Sequence, residues 1–192
     1  NGAWVAGASL SSISIAPSNT HASGPTATNL GVAAADRDAL IEWVRGADNK
    51  EDENTNSSLT DARAYIHGDL LHSRPAVVNY NREEGDRDVV VYYGSNDGIF
   101  RAVKGGQDDA DGWEKWGMVF PEFFKKFQRL RDNNEVIEPG APKPYFADGA
   151  VSVYQHDVNG DGKLVAADGD KVYLFIGMRR GGQLIYALDV SD

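Results

Sequence analysis

Apolar and polar positions change rhythm along this chain, and the change falls near Arg74. From there on the pattern is strand, turn, strand. In "DVVVYYG", Val89, Val91 and Tyr93 alternate with Val90 and Tyr92; the polar turn "SNDG" follows, and "IFRAV" resumes the apolar run. Successive side chains of a strand point to opposite faces, so this predicts a β-hairpin, with Asp97-Gly98 supplying the positive-φ chemistry of a two-residue turn. "RPAVVNY" before it and "WEKWGMVF" after it read as neighbouring strands. The last third continues with "AVSVYQH", "KVYLFIGM" and "QLIYALDV"; in the last, Leu184, Tyr186, Leu188 and Val190 share one face, and Ile185 and Ala187 the other. About seven short strands separated by Gly and Asp turns point to a sandwich, barrel or propeller rather than a βαβ fold. There is also a loose internal echo. "VVVYYGSNDGIFRAV" and "VYLFIGMRRGGQLIYAL" both run apolar strand, Gly, polar turn, Gly, apolar strand, as successive propeller blades would.

Before Arg74 the pattern is different. Residues 1–35 are rich in Ser, Thr, Ala, Asn and Gly and read as a polar lead-in or linker, in which "SLSSISIAPS" alternates Leu10, Ile13 and Ile15 imperfectly with serines and suits a short strand or a flexible segment. Residues 36–66 read as a short helix and an acidic loop. The helix is "DRDALIEWVRG": Asp36 or Asp38 can cap it, Leu40, Trp43 and Val44 share a face, and Gly46 stops it. In the loop, Glu51, Asp52 and Glu53 read as solvated acids. A second helix is expected in "PEFFKKFQRLRDNN", opened by Pro121, with Phe123, Phe124, Phe127 and Leu130 as its apolar stripe and Lys125, Lys126, Arg129 and Arg131 facing water. The expected architecture is therefore mainly β with two short helices, and residues 67–192 carry the strands.

Composition narrows the function classes. Twenty-nine acidic residues against 19 Lys and Arg give a net charge of −10, a field that repels phosphate backbones and anionic membrane surfaces, so nucleic acid is not an expected partner. The chain has no cysteine, which removes disulfides, thiolate metal sites, CxxCH haem attachment and Cys nucleophiles together. No apolar run is long enough to span a bilayer, and the first residues lack the pattern of a signal peptide, so an exported protein would be represented here by a mature segment.

One stretch carries specific chemistry. "DVNGDGKLVAAD" has the spacing Asp157-x-Asn159-x-Asp161-Gly162-x5-Asp168. A calcium loop of the EF-hand type takes ligands from positions 1, 3, 5, 7, 9 and 12, with glycine at 6 for the sharp turn. Counting from Asp157, the oxygen-bearing side chains are Asp157, Asn159, Asp161 and Asp168. Lys163 falls at position 7, where the ligand is a backbone carbonyl, and Val165 falls at 9, where a water has to serve. The chemistry suits a hard dication: without one, Asp157, Asp161 and Asp168 repel each other at a cost on the order of 1–4 kcal/mol per pair. An Asx-rich turn is the plainer alternative, but it requires neither the alternation at 1, 3 and 5 nor an acid at 12. Asp168 is a methylene shorter than the usual Glu, which predicts weaker binding; Asp170 lies near enough to substitute. The flanks are strands, so the loop is expected to join strands rather than paired helices.

No comparable signal points to catalysis. The histidines of "HGDLLH", His67 and His72, have the wrong spacing for one helical face, and Ser73 beside His72 and Asp69 is too close in sequence to form a triad.

Several phrases taken in order, "HGDLLHSRPAVVNY", "VVVYYGSNDGIFRAV", "GWEKWGMVFPEFF" and "DGDKVYLFIGMRRGGQLIYALDVSD", resemble the C-terminal half of PilY-type proteins, the type IV pilus tip-associated adhesins and biogenesis factors. The resemblance runs from about residue 65 to the end, and "LIEWVRG" resembles the helix that precedes this region. It implies a partial quinoprotein-like β-propeller with antiparallel blades. It also implies an extracellular location at the pilus tip and roles in surface adhesion, pilus extension and retraction, and twitching motility. The implied partners are minor pilins or other pilus subunits, remaining parts of its own chain, and a host or abiotic surface. Family members carry a calcium site in this region, and the role transfers here only to Asp157, Asn159, Asp161 and Asp168, with Lys163 through its carbonyl. The family's Arg-Gly-Asp is absent; "RGAD" at Arg45 does not replace it. Two other classes remain: a quinoprotein-type dehydrogenase segment, which usually has the vicinal cysteines missing here, and a dockerin-like module, which needs two such loops with helices.

Overall fold

A computed structural model describes residues 14–50, 56–85, 87–133, 139–140 and 142–192. Leu10 and Ile13 of the candidate first strand, and the acids Glu51, Asp52 and Glu53, lie outside the described residues. The chain divides into two compact units, one formed by Asn1–Ile66 with Val119–Glu138 and the other by His67–Met118 with Pro139–Asp192.

The first unit is helical. Helix α1 (Ala27–Leu30) opens on Thr26, whose hydroxyl accepts from Asn29 N at 3.1 Å, and ends on Gly31 in the left-handed region. No apolar periodicity marks this single turn. Helix α2 (Arg37–Val44) falls where the sequence predicts it, with Leu40, Ile41, Trp43 and Val44 buried. Its start differs in one respect: Asp36 already has helical backbone angles, so its side chain makes no capping bond. Arg37 does the anchoring instead, donating to the carbonyls of Pro17, Asn19 and Pro25, which orders part of the polar lead-in. The second predicted helix is split into a 3-10 helix (Pro121–Lys126) and a short α3 (Phe127–Arg131). The apolar spacing explains the split. Phe120 with Phe123, and Phe124 with Phe127, recur every third residue, and three residues per turn stacks such pairs on one side. All four are buried, and Phe120 meets Phe123 edge-on at 5.6 Å. Of the basic residues expected to face water, Lys126 is half-buried over the Phe123 ring, and burial lowers its pKa.

The second unit is mainly β, as predicted: two antiparallel sheets, each a meander. The first runs β1 (Ala76–Asn79), β2 (Val89–Gly94), β3 (Ile99–Gly105), β4 (Glu114–Val119). The second runs β5 (Val151–His156), β6 (Lys171–Gly177), β7 (Ile185–Asp189). The β2–β3 turn is longer than the predicted two residues. Gly98 N donates to Ser95 O, Ser95 N donates to Ile99 O, and only Gly98, at φ 94°, is left-handed. Asp97 contributes its side chain rather than a positive φ, accepting from Ile99 N and from Ser95 Oγ. Leu184, predicted to share a face with Tyr186, Leu188 and Val190, precedes the strand and is exposed; Leu188 and Val190 are buried.

The two sheets share a plan but bury different sides. In β3, Lys104 donates to Trp113 O and accepts from Gly112 N, so Phe100, Ala102 and Lys104 turn their backbone groups toward β4. At the end of β7, Val190 donates to Val172 O, so Tyr186, Leu188 and Val190 turn theirs toward β6. Ile185, Ala187 and Asp189 then turn theirs to the other edge, the side that β4 occupies in the first sheet. For L-residues in a strand of given direction, the side taken by the backbone groups fixes the face taken by the side chain. The face of Phe100 and Ala102 therefore corresponds to the face of Ile185 and Ala187. The registers carry this across each sheet: Ala76–Tyr92–Ala102 matches Ser152–Phe175–Ala187, and Val77–Val91–Val103 matches Val153–Leu174–Leu188. In the first sheet the buried apolar residues are Ala76, Val78, Val90, Tyr92, Phe100 and Ala102, with the ion-paired Arg101 buried on the other face; in the second they are Val172, Leu174, Ile176 and Leu188, on the face opposite to that apolar set in the plan. The Tyr80 hydroxyl joins the two sheets, hydrogen-bonded to the Tyr92 hydroxyl at 2.7 Å and donating to Val190 O at 2.6 Å. The two sheets thus share one strand plan and bury apolar residues on opposite faces of it.

A short segment locks the strand ends. A Cβ at Gly94 would stand 2.3 Å from Ala147 O, and one at Gly149 would stand 2.2 Å from Gly177 O, so both positions need glycine for this close approach.

Candidate metal centre

The β5–β6 register pairs His156 with Lys171, which leaves residues 157–170 as the connection between the two strands. Its first half winds tightly around its own carboxylates. Asp157 accepts from Gly160 N at 2.6 Å and from Gly162 N at 2.8 Å; Asn159 Oδ1 accepts from Asp161 N; Asp161 Oδ1 accepts from Lys163 N. Gly160 and Gly162 sit at φ 73° and 81°, a conformation that side chains resist, which is the sharp turn asked of the sixth position. Asn159 Nδ2 also approaches Asp161 Oδ2 at 3.4 Å, so the side chains at positions 1, 3 and 5 share one turn.

The second half is anchored differently. Asp168 closes a 3-10 turn (Ala166–Asp168) and is exposed. Asp170 is the buried acid, 1% exposed, and its two oxygens accept from Val158 N and Val165 N, both at 2.8 Å. Those backbone bonds hold its carboxyl below the usual aspartate range. It therefore works as a clasp that ties the two ends of the turn together. The loop also leans on the first sheet's β1–β2 connection, where Leu164 N donates to Tyr80 O and Asn81 Nδ2 donates to Gly162 O.

The fit to calcium is consequently partial. Asp157, Asn159 and Asp161 with the Lys163 carbonyl supply the first half of an oxygen shell, and carboxylate oxygens already holding one N–H keep a second lone pair for a cation. Asp168 is not gathered with them: among the described residues, no three His, Asp or Glu side chains are grouped so as to hold a metal. Water would have to complete the shell.

Two further polar clusters escaped the sequence pattern: one joins residues distant in sequence, and the other gathers on a turn and its neighbouring strands. His72 is set against Asp148, with Nδ1 at 2.9 Å from a carboxylate whose side chain is 0% exposed, and Arg179 Nη1 lies 3.9 Å from the same carboxylate. Ser73 has no part in it; its hydroxyl accepts from Gly94 N, while Asp69 pairs with Lys143. The second cluster is Arg101, buried, which donates to Asp97 at 2.6 Å, Glu114 at 2.9 Å and Ser95 Oγ at 2.6 Å. Burial would raise the Asp97 pKa, but the guanidinium outweighs it and the net shift is downward. In each cluster a buried charged group, Asp148 or Arg101, is met by polar side chains of the chain itself.

No helix among the described residues is long and apolar enough to cross a membrane. Comparison of the chain with protein-family models, with curated proteins and with solved structures finds no match.

Proposed function

We propose that this chain is a calcium-binding, non-enzymatic segment of a PilY-like type IV pilus tip protein, its two sheets being successive blades of a partial quinoprotein-like propeller. The observation that carries the calcium reading is the winding of Asp157–Lys163, in which alternate oxygen-bearing side chains and a left-handed Gly162 enclose one turn between two strands. Asp157, Asn159, Asp161 and the Lys163 carbonyl would hold the ion, with Asp168 as the more distant acid. Calcium would supply a positive charge that neutralises the acids and stiffens the connection between β5 and β6. What supports the blade reading is the shared strand plan of the two meanders, with opposite faces buried, as consecutive radially repeated sheets would have. The pilus-tip location and its partners, minor pilins and a host or abiotic surface, rest on the resemblance in sequence.

Calorimetric titration tests the metal. Calcium added to the chain should give a saturable heat in the micromolar to millimolar range, and the Asp157→Ala, Asp161→Ala double variant should give none. Equal heats from both proteins, or none from the parent, overturn the calcium site. Immunogold labelling of piliated cells tests the location: gold should concentrate at pilus ends, and label confined to the cell body rules the reading out.

A further inference from the structure

The chain carries a net charge of −10, yet one place in the second unit gathers cations. Three segments meet there. Lys143 donates to Asp69 at 2.8 Å, His72 Nδ1 stands 2.9 Å from Asp148, and Arg180 donates to the Tyr145 hydroxyl at 3.0 Å, so residues 69–74, 143–148 and 178–181 are held together. Close packing fixes them further. A Cβ at Gly181 would stand 1.6 Å from Phe146 O, and Asn96 N donates to Asp69 O. Lys143 and Arg180 both lie over the Tyr145 ring, at 5.6 and 5.2 Å, and Arg179 is half-exposed beside the fully buried Asp148. Arg74, exposed, follows two residues after His72. Among the described residues no carboxylate pairs with Arg180 or Arg74.

Two features mark this group as more than a solvated edge. Arg179 sits at φ 47°, a conformation that glycine adopts more readily, so the turn itself gains nothing from an arginine there. Leu70 and Leu71, 41% and 52% exposed, lie between the tethered residues Asp69 and His72, which sets an apolar pair between the contacts to Lys143 and to Asp148. We infer that this surface docks an acidic polypeptide segment of a partner protein, one that carries carboxylates beside apolar side chains. The planar forks of Arg179 and Arg180 match carboxylates, as Asp148 already shows for Arg179, and the apolar side chains would cover Leu70 and Leu71. A nucleic acid or an anionic membrane brings a dense, extended charge that the field of this acidic chain opposes, whereas a short segment brings only a few charges. An inorganic anion would leave the two leucines in water.

The inference rests neither on the calcium loop nor on the pilus reading. The probe is a fluorescein-labelled peptide, Glu-Glu-Leu-Leu-Glu-Glu, and its control replaces each Glu by Gln. In fluorescence anisotropy with the whole chain, the Glu peptide should bind with a Kd of about 1–100 μM at low salt, and about tenfold more weakly at high salt. Arg180→Glu and Arg179→Gly should each weaken it by about tenfold; the glycine suits the left-handed backbone at 179 and removes only the cation. Leu71→Ser should weaken it by about threefold. Arg87→Glu, 66% exposed in the β1–β2 connection, changes the net charge as Arg180→Glu does and should leave the affinity within about twofold. No binding up to about 1 mM overturns the inference, as does equal binding of the Gln peptide. So does an Arg87→Glu loss equal to that of Arg180→Glu, which would mean net charge alone. Binding that Leu71→Ser leaves unchanged, or that inorganic phosphate or phosphatidylserine vesicles abolish at matched ionic strength, also overturns it, in favour of an anion of another kind. Where Arg180→Glu loses its β circular dichroism, Arg180→Gln replaces it. A chain that ignores the peptide but still gives the calcium heat loses this docking surface alone and keeps the metal reading.

Discussion

The first and second sheets of this protein have the same order, the same antiparallel pairing and closely matched registers, yet an apolar residue buried in one has a half-buried or exposed counterpart in the other. Phe100 is fully buried and its counterpart Ile185 is 75% exposed; Leu174 is fully buried and its counterpart Val91 is half-buried. The difference does not come from strand propensity, since both sheets are rich in β-branched and aromatic residues on both faces. A strand that is apolar on both sides is what a repeated sheet requires, because each sheet has a neighbour in front and another behind.

Crossed truncations break this comparison most directly. On the face of Phe100, Phe100→Ala should cost about 3–5 kcal/mol and Ile185→Ala within about 0.5 kcal/mol. On the other face the order of the sheets reverses: Leu174→Ala should cost about 2–5 kcal/mol, and Val91→Ala about 1 kcal/mol or less. Urea denaturation of the monomeric chain measures all four. Equal losses within each pair would mean that both sheets are covered on both faces.

All seven strands of the described residues are legible from alternation and turn residues, because side-chain direction in a strand follows sequence with a period of two. Which face of each strand is buried is not legible, since both faces are apolar and only the hydrogen-bond register identifies them. The segment from Pro121 to Arg131 illustrates a different limit: an apolar stripe spaced for either a 3-10 or an α winding reads as one helix until packing selects the tighter turn. In the candidate site the spacing identifies Asp157, Asn159 and Asp161, whose mutual approach is local. It does not foresee which acid ties the two ends of the loop together. Asp170 takes the buried position because its oxygens find two backbone N–H groups, whereas Asp168 is carried outward by its own 3-10 turn.

The smaller effect, and the finer comparison, concerns how the first connection of each sheet is held. In the β1–β2 connection, buried Asp88 is met by the Arg82 guanidinium at 2.5 Å and by Arg82 N at 3.2 Å. In the β5–β6 connection Asp170 is met by the Val158 and Val165 amides, so its clasp depends on two acceptor oxygens. Asp170→Asn keeps the size but turns an N–H₂ toward one of those amides, and that bond is lost. Amide hydrogen exchange at Val158 and Val165 should speed up several-fold while the strand amides of β6 keep their protection. The pH dependence follows from the sign of the shift. A carboxyl held below its ordinary range stabilises the folded loop above the ordinary aspartate pKa, near about 3.9, and the contribution is lost as pH falls through the lowered folded value. Protection at Val158 and Val165 should therefore fall in acid in the parent and change less with pH in Asp170→Asn. Unchanged exchange in the variant at neutral pH would mean that the connection is held by the Leu164–Tyr80 and Asn81–Gly162 bonds instead, and that the two connections are fixed by contact with each other rather than each by its own aspartate.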